Sequence, residues 1–180
     1  MTLLTGIIYP LFITVIGQTL YHRQSNGSML VVNDKVVGSE LIGQKFISNK
    51  YFHSRPSAID YNPMPSGGSN SSVTSKDLQG RVKQNTARFD SVNQLQPTRV
   101  IPPEMIYASA SGLDPHISVE AALLQLDRIC IARHLNPEMK KQLENIIPQF
   151  TEGRQLGFLG EERINVLKLN LELDKQFVVR

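Results

Sequence analysis

The first 21 residues contain no charged side chain, and apolar residues dominate them. As a helix rising 1.5 Å per residue, this run would be roughly 30 Å long, about the thickness of the hydrocarbon core of a bilayer. Gly6, Pro10 and Gly17 would weaken a soluble helix, whereas membrane-spanning helices tolerate such residues. The pattern therefore predicts a transmembrane helix over residues 1–22, followed by a single domain over residues 23–180.

Two other interpretations of this apolar start remain open. A signal peptide normally begins with a basic segment and ends at a small-residue cleavage site, and the sequence shows neither. A buried core helix would more often carry one polar face. The distribution of basic residues would place the following domain in the cytoplasm, because Arg23 and Lys35 follow the run and none precedes it. That count carries little weight, since a span that begins at residue 1 leaves no room for a flanking segment.

A short hairpin and a long loop are predicted after the apolar run. Two apolar segments, Met29–Val32 and Lys35–Val37, flank the turn-forming residues Asn33 and Asp34, which is typical of a β-hairpin. Residues 61–72 are rich in Gly, Ser, Asn and Pro and have almost nothing to pack. This stretch is therefore predicted to be a long loop.

A mostly exposed helix and a linker are predicted next. Thr74 and Asp77 match a capping box, and a narrow apolar stripe continues to about Asp90. Residues 93–103 contain several prolines and indicate a linker. Beyond it, Ser118 can cap a helix that carries the broadest apolar face of the domain. That face comprises Val119, Ala122, Leu123, Leu126, Ile129 and Cys130.

Two further helices are predicted at the end of the chain, which gives an α+β domain. Asn136 followed by Pro137 is an N-cap with proline at the first helical position, and Pro148 ends that helix. Residues 166–176 fit two patterns, because their leucines alternate with polar residues as in a strand and also fall on one helical face. We predict a helix here, with Asn165 as its cap.

The composition supports a globular fold and excludes several classes of function. Hydrophobic residues make up 41% of the chain and charged residues 19%, which allows a real core. The net charge is only +3 and there is no run of Lys or Arg, so nucleic-acid binding is not the main function. The single cysteine, Cys130, excludes an internal disulfide and a multi-thiolate zinc site, and its apolar neighbours predict a buried residue. No two histidines lie four residues apart, so we expect no metal site.

Two loops have side chains or backbone groups that could bind an anion. Within Tyr51–Ser57, Arg55 could hold a carboxylate or phosphate through two hydrogen bonds, or it could tie a loop to the fold. Ser66–Asn70 could form a nest of backbone amides around an anion. No lysine follows those glycines as in a phosphate-binding loop, so the favoured interpretation of this stretch is a flexible surface loop.

Asp114 and His116 allow a hydrolase interpretation with a nearby serine as nucleophile. Such a triad depends on tertiary structure, and closeness in sequence does not establish it. The chain has no G-x-S-x-G motif, and Asp-Pro followed by a capping serine is a common way for a helix to begin. The candidate nucleophiles are Ser109, Ser111 and Ser118. We predict that the chain is not an enzyme and has no catalytic residue.

Several sequence blocks occur in the same order as in a known family, and together they extend over almost the whole chain. The chain resembles the C subunit of the bacterial Kdp-type potassium-transporting ATPase. The most specific blocks are Tyr51-Phe52-His53-Ser54-Arg55-Pro56-Ser57-Ala58, Ser66-Gly67-Gly68-Ser69-Asn70 and Ala108-Ser109-Ala110-Ser111-Gly112-Leu113-Asp114. Further blocks are Leu4-Thr5-Gly6, Tyr9-Pro10-Leu11, Gln24-Ser25-Asn26-Gly27-Ser28 and Asn165-Val166-Leu167.

The resemblance implies a topology and a set of partners. It implies a single-pass protein of the bacterial inner membrane, with one span followed by an extracytoplasmic domain. The implied partners are a P-type ATP-hydrolysing subunit, a channel-like potassium-conducting subunit and a very small single-span subunit. Potassium is the ion that the complex transports. The family usually carries a few more residues before its span, which implies a late start or a trimmed chain here.

The resemblance also implies a non-catalytic role that involves ATP. Such subunits are described as catalytic chaperones that raise the ATP affinity of the hydrolysing subunit, so the family implies ATP as a ligand. The residues themselves offer no phosphate loop, and an extracytoplasmic domain would not meet cytoplasmic ATP. The physical alternative is that the domain packs over the channel subunit and stabilises assembly or shapes potassium entry. The alternative class of function is a membrane-anchored extracytoplasmic hydrolase or solute-binding module.

The functional surface is predicted to lie in the three most specific blocks. The two loops that contain Arg55 and Asp114 are expected to hold this surface. Each of these two ionisable residues stands beside a proline, and we expect them to fix loop shape or dock a partner subunit rather than do chemistry. The predicted partner or ligand residues are Tyr51, His53, Arg55, Ser66, Gly67, Gly68, Ser69, Asn70, Ser109, Ser111 and Asp114.

Overall fold

The computed structural model describes residues 1–96 and 98–177. It contains two compact units, of which the first covers Met1–Leu41 and the second begins at Ile42. Pro97 in the predicted linker and the last three residues of the predicted domain lie outside the described residues.

The uncharged start of the chain is helical but divided. A π-helix, Leu4–Ile8, leads into α1, Tyr9–Leu20, and the short helix α2, His22–Ser25, follows. Of the residues that the structure describes, none belongs to a helix long and apolar enough to span a membrane. The predicted transmembrane helix over residues 1–22 is therefore not confirmed.

The predicted hairpin completes the first unit. Strand β1, Met29–Val32, pairs antiparallel with β2, Lys35–Ser39, which confirms the hairpin and extends its second strand by two residues. Asn33 and Asp34 at the turn have φ of 50° and 59°. Asparagine and aspartate tolerate this left-handed region better than other residues with a side chain, and it matches the twist of a two-residue hairpin.

The second unit contains the three predicted C-terminal helices, each with its predicted cap. Ser118, Asn136 and Asn165 accept hydrogen bonds from the backbone amides of Ala121, Met139 and Lys168. These bonds satisfy amide groups that have no partner inside the helix. The ambiguous last element is therefore a helix, as predicted. The three helices are α4, Val119–Ala132, α5, Pro137–Gln149, and α6, Val166–Gln176.

Helix α3, Lys76–Asn93, starts and ends later than predicted. The N-cap residue is Ser75 rather than the predicted Thr74, and its side chain makes no capping bond. The Thr74 hydroxyl pairs instead with that of Ser72 at 3.0 Å. Asp77 forms an ion pair with Arg81. The predicted capping box is thus wrong. The helix is mostly exposed, as expected, with only two of its residues buried.

A small antiparallel sheet joins the helices of the second unit. Its strands are β3, His116–Ile117, β4, Thr151–Glu152, and β5, Arg163–Asn165, with β5 in the centre. Strands of two or three residues are too short to show alternation, so the sequence gives no signal for them. Helices and sheets together confirm the α+β class.

The core of the second unit lies among α4, α5, α6 and the sheet. Cys130 is 7% exposed, and its burial raises the pKa of its thiol, so it is a buried small residue as predicted. Phe52, from the loop before α3, is completely buried in the same core. Other members include Leu126, Ile129, Leu143, Ile147, Ile164, Leu169 and Leu173.

Candidate functional site

The three family-specific blocks lie together in the second unit. The amide of Ser109 donates to the carbonyl of Pro56 at 3.1 Å, which joins the first block to the third. The amide of Gly67 donates to the carbonyl of Ser111 at 3.1 Å, which joins the second block to the third. We call residues 54–57, 66–70 and 108–116 the loop cluster.

Two glycines allow these loops to approach one another. Gly112 has a φ of +71°, and a Cβ built there would lie 2.8 Å from the carbonyl oxygen of Gly67. A Cβ on Gly68 would lie 2.8 Å from the carbonyl oxygen of Ala110. Both distances are shorter than carbon and oxygen tolerate, so only glycine fits without a shift of the backbone. The expectation that residues 61–72 have almost nothing to pack is therefore wrong, because the backbone itself packs.

An ion pair links the first and third loops of the cluster. Arg55 Nη1 lies 2.7 Å from Asp114 Oδ2, although the two residues are 59 positions apart. The other carboxylate oxygen accepts the backbone amide of His116 at 3.0 Å, and His116 Nδ1 lies 3.3 Å from it. Burial alone would raise the pKa of Asp114, but the hydrogen bonds from His116 and the Arg55 cation outweigh it, so this pKa is lowered. Asp114 is therefore a carboxylate at neutral pH.

The ion pair is accessible and incompletely satisfied. The side chains of Arg55 and Asp114 are 26% and 28% exposed. Arg55 Nε is buried and has no hydrogen-bond partner within the described residues. Both residues line an open groove of about 810 Å³, together with His116, Glu104 and Ser118. The arrangement offers a charged surface to a partner and leaves the guanidinium with unused hydrogen-bonding capacity.

The serines near His116 have structural roles. Ser111 Oγ accepts the amide of Leu113 at 3.1 Å, and Ser118 Oγ accepts the amide of Ala121 at 3.1 Å. Ser109 is buried, with 3% of its surface exposed. Across residues 1–96 and 98–177, no serine hydroxyl is hydrogen-bonded to the His116 ring. The cluster therefore lacks the serine–histidine contact that a nucleophilic triad uses.

Side chains from α4 and α6 hold the backbone just before Arg55. Asn170 accepts the amide of Phe52 at 2.8 Å and donates to its carbonyl at 3.0 Å. Gln125 likewise accepts the amide of His53 at 2.7 Å and donates to its carbonyl at 3.3 Å. The backbone N–H and C=O groups of Phe52 and His53 are thus all hydrogen-bonded, as they would be in a sheet, but their partners are side chains.

Two buried arginines complete this support. Arg128 donates to the carbonyl of Asn49 at 2.7 Å, and Arg133 donates to the carbonyl of Lys50 at 2.7 Å. Arg133 also pairs with Asp174 and lies 5.0 Å from the ring centre of Tyr51. The contacts of Tyr51 and His53 are part of this support, whereas Arg55 lies at the accessible ion pair.

Sequence reasoning missed the supporting side chains of α4 and α6. The available signal was a polar residue on a mostly apolar helical face, as for Gln125 and Arg128 beside Leu126 and Ile129. Such a residue is buried only when its polar atoms are paired, and here its partners are the backbone groups of residues 49–53.

Acid should destabilise the fold through His53. Its burial, and secondarily the Arg128 cation, lower the pKa of His53 from 6.5 to about 4. The unfolded chain would therefore bind a proton that the folded chain does not between about pH 6.5 and 4, so stability falls as the pH drops through this window. At pH 5 the expected loss relative to pH 8 is about 2 kcal/mol. Denaturant titrations of the full chain in detergent at both pH values measure it.

A matched pair of variants isolates this effect. His53→Gln should remove most of the acid dependence, whereas His134→Asn, at an exposed position with a φ of +55°, should keep it. An unchanged acid dependence in His53→Gln would show that another group is responsible.

The second unit is an α+β domain whose loop cluster carries an accessible ion pair. Residues 1–175 match the family model for the c chain of the K+-transporting ATPase, KdpC. The chain is 46% identical over 178 residues to the potassium-transporting ATPase KdpC subunit of Methylococcus capsulatus, which covers 96% of this chain and 90% of that protein. The chain belongs to this family.

Two further relatives are of the same kind. The KdpC subunit of Leptospira interrogans is 44% identical over 177 residues, covering 98% of this chain and 89% of that protein. The KdpC subunit of Gloeobacter violaceus is 45% identical over 170 residues, covering 94% of this chain and 87% of that protein.

Proposed function

We propose that the chain is an accessory, non-catalytic subunit of an ATP-driven potassium uptake complex, and that its loop cluster docks a partner subunit. The observation that carries this proposal is the Arg55–Asp114 ion pair, which joins two family-specific loops and stays accessible. Family membership supplies the type of complex. The cluster contributes binding energy and no bond-making chemistry.

The electrostatics of the pair fit docking. The pair is half-buried already, so a partner that covers it removes less water from it than from a fully exposed ion pair. The desolvation free energy is therefore smaller. The Arg55 side chain is 26% exposed, and a guanidinium carries five N–H donors, so a carboxylate or carbonyl of the partner can accept a hydrogen bond from its exposed edge. Charges that are desolvated and hydrogen-bonded at an interface typically cost ~2–5 kcal/mol when truncated.

We further propose that the uncharged N-terminal run holds the subunit in the membrane once its partners are present. Its side chains are apolar and exposed, for example Leu4, Leu11, Phe12 and Val15 at 54–61%. In a complex these side chains would contact lipid or other apolar helices. The body of the subunit then lies on the extracytoplasmic side, near the P-type hydrolysing, channel-like and single-span subunits.

An effect on ATP affinity would be indirect in this scheme. The second family-specific block, Ser66–Asn70, is packed against the third, and the amide of Gly67 is already bonded to Ser111. That block is therefore poorly suited to cradle a phosphate. The subunit would change ATP affinity by stabilising one conformation of the hydrolysing subunit through docking.

Copurification tests the proposal. The full chain, carrying an affinity tag, should stay with membranes after a carbonate wash. After solubilisation in mild detergent it should bring down a P-type ATPase chain and potassium-dependent ATP hydrolysis. A chain that purifies alone and hydrolyses or binds a small molecule by itself would instead favour the hydrolase or solute-binding function.

A further inference from the structure

A small loop of the second unit exposes three large apolar side chains side by side. Residues 154–161 connect strands β4 and β5, and we call them the apolar tip. Leu156, Phe158 and Leu159 are 83%, 69% and 47% exposed. Single exposed apolar residues are common on protein surfaces, but three within four residues form a contiguous patch.

The shape of the apolar tip is fixed by its own hydrogen bonds. Gln155 and Leu159 exchange both backbone bonds, at 2.8 and 2.9 Å. The amide of Gly157 donates to the carbonyl of Arg154 at 3.2 Å, and an ion pair of 2.6 Å joins Arg154 to Glu161 across the base. Leu156 has a φ of +53°, a region that side chains other than Asn and Asp rarely adopt. Leu156 thus has a strained backbone conformation and an exposed side chain. In the isolated chain that side chain contributes little to the stability of the fold.

The charges around the tip favour a protein partner over a lipid surface. Arg154 and Arg163 are balanced by Glu161 and Glu162, so the base of the tip carries no net positive charge. Loops that insert into anionic bilayers usually combine apolar residues with surplus Lys or Arg. An apolar centre with a polar rim of both signs is the usual composition of a protein interface.

The tip is also continuous with the loop cluster. Arg154 and Glu161 at its base, and Glu162 directly after it, line the same groove as Arg55 and Asp114. A partner that covers the ion pair would therefore extend over the base of the tip.

We propose that the apolar tip inserts into an apolar pocket on a partner subunit of the transporter. This is the same subunit that covers the groove lined by Arg55 and Asp114. The proposal rests on the proposed docking function and adds a second, apolar contact to the same interface. Aromatic and aliphatic side chains that become buried at an interface commonly contribute strongly to binding. Phe158 and Leu156 are the expected anchors.

An incorporation competition tests the proposal. Cells produce the other subunits together with two differently tagged copies of the full chain, one wild type and one variant. The ratio of the two copies is measured in total membranes and in complexes purified through another subunit. Leu156→Asn with Phe158→Ser should lower the incorporated fraction at least tenfold. Asparagine tolerates the left-handed backbone, so the loop should keep its shape.

The matched control is Val73→Asn, which removes an apolar side chain that is 84% exposed in another loop of the second unit. It should incorporate like wild type, and both chains should unfold at the same temperature. Normal incorporation of the tip variant together with depletion of Arg55→Ala would overturn the tip proposal and leave the docking function standing. Normal incorporation of both would overturn both.

A fluorescence measurement separates a protein pocket from the bilayer. Bimane attached at Leu156→Cys in the assembled complex should shift to the blue without quenching by brominated lipids. Quenching by those lipids would place the tip in the membrane and contradict the proposal.

Discussion

Replacing Asn170 by leucine should destabilise the protein by about 3–5 kcal/mol. Asn170 is 2% exposed, and its amide both accepts from and donates to the backbone of Phe52, which is completely buried. Leucine has a similar volume but no polar atom, so two buried backbone groups would lose their partners. Each unpaired group costs about 1–3 kcal/mol. The loss should appear as a lower midpoint of denaturant unfolding with an unchanged slope.

Asn145→Leu is the matched control for this prediction. Asn145 is an exposed residue of α5, and its side chain makes no hydrogen bond within the described chain. Substitutions at such positions usually change stability by less than about 0.5 kcal/mol. Equal midpoints for the two variants would show that Asn170 does not support the loop that carries Arg55.

The parts of the fold that depend on local interactions were predictable from the sequence. Ser118, Asn136 and Asn165 each stand directly before an apolar periodic segment, and each caps its helix. Capping is decided by three or four consecutive residues, so the sequence contains the whole signal. The same reasoning failed at Thr74, where a competing hydroxyl of Ser72 lies two residues away.

The sheet and the loop packing were not predictable in this way. Strands β3 and β4 have two residues each, and their pairing with β5 is set by contacts between distant parts of the chain. The need for glycine at position 112 likewise cannot be predicted from its neighbours in sequence. A side chain there would collide with Ile59 and with the carbonyl oxygen of Gly67, which are distant in sequence. Long-range backbone contacts leave no periodic trace in the sequence.

The sequence indicated candidate residues for the site but not how they are arranged. Family resemblance singled out the blocks that contain Arg55 and Asp114, whereas nothing in either block indicates that the two side chains pair. Tyr51 and His53 stay predicted ligand or partner residues, and the structure adds their contacts with Asp174 and Gln125, which the sequence did not indicate.

Arg55→Ala should weaken assembly of the complex far more than it weakens the fold. In the isolated chain the pair is over a quarter exposed, so its removal should cost only about 1 kcal/mol of stability. In the complex the guanidinium is covered and Asp114 would be left without its cation. The expected cost there is ~2–5 kcal/mol, which corresponds to a loss of affinity of at least about thirtyfold.

The most direct measurement is the affinity of the full chain for the other subunits of the transporter, compared between Arg55→Ala and Lys140→Ala in detergent. Lys140 on α5 also forms an ion pair, with Asp127 on α4, so its variant removes an equal charge from outside the loop cluster. We expect Arg55→Ala to bind at least thirtyfold more weakly while both variants unfold near the wild-type temperature. Equal affinities for the two variants would contradict docking through the loop cluster.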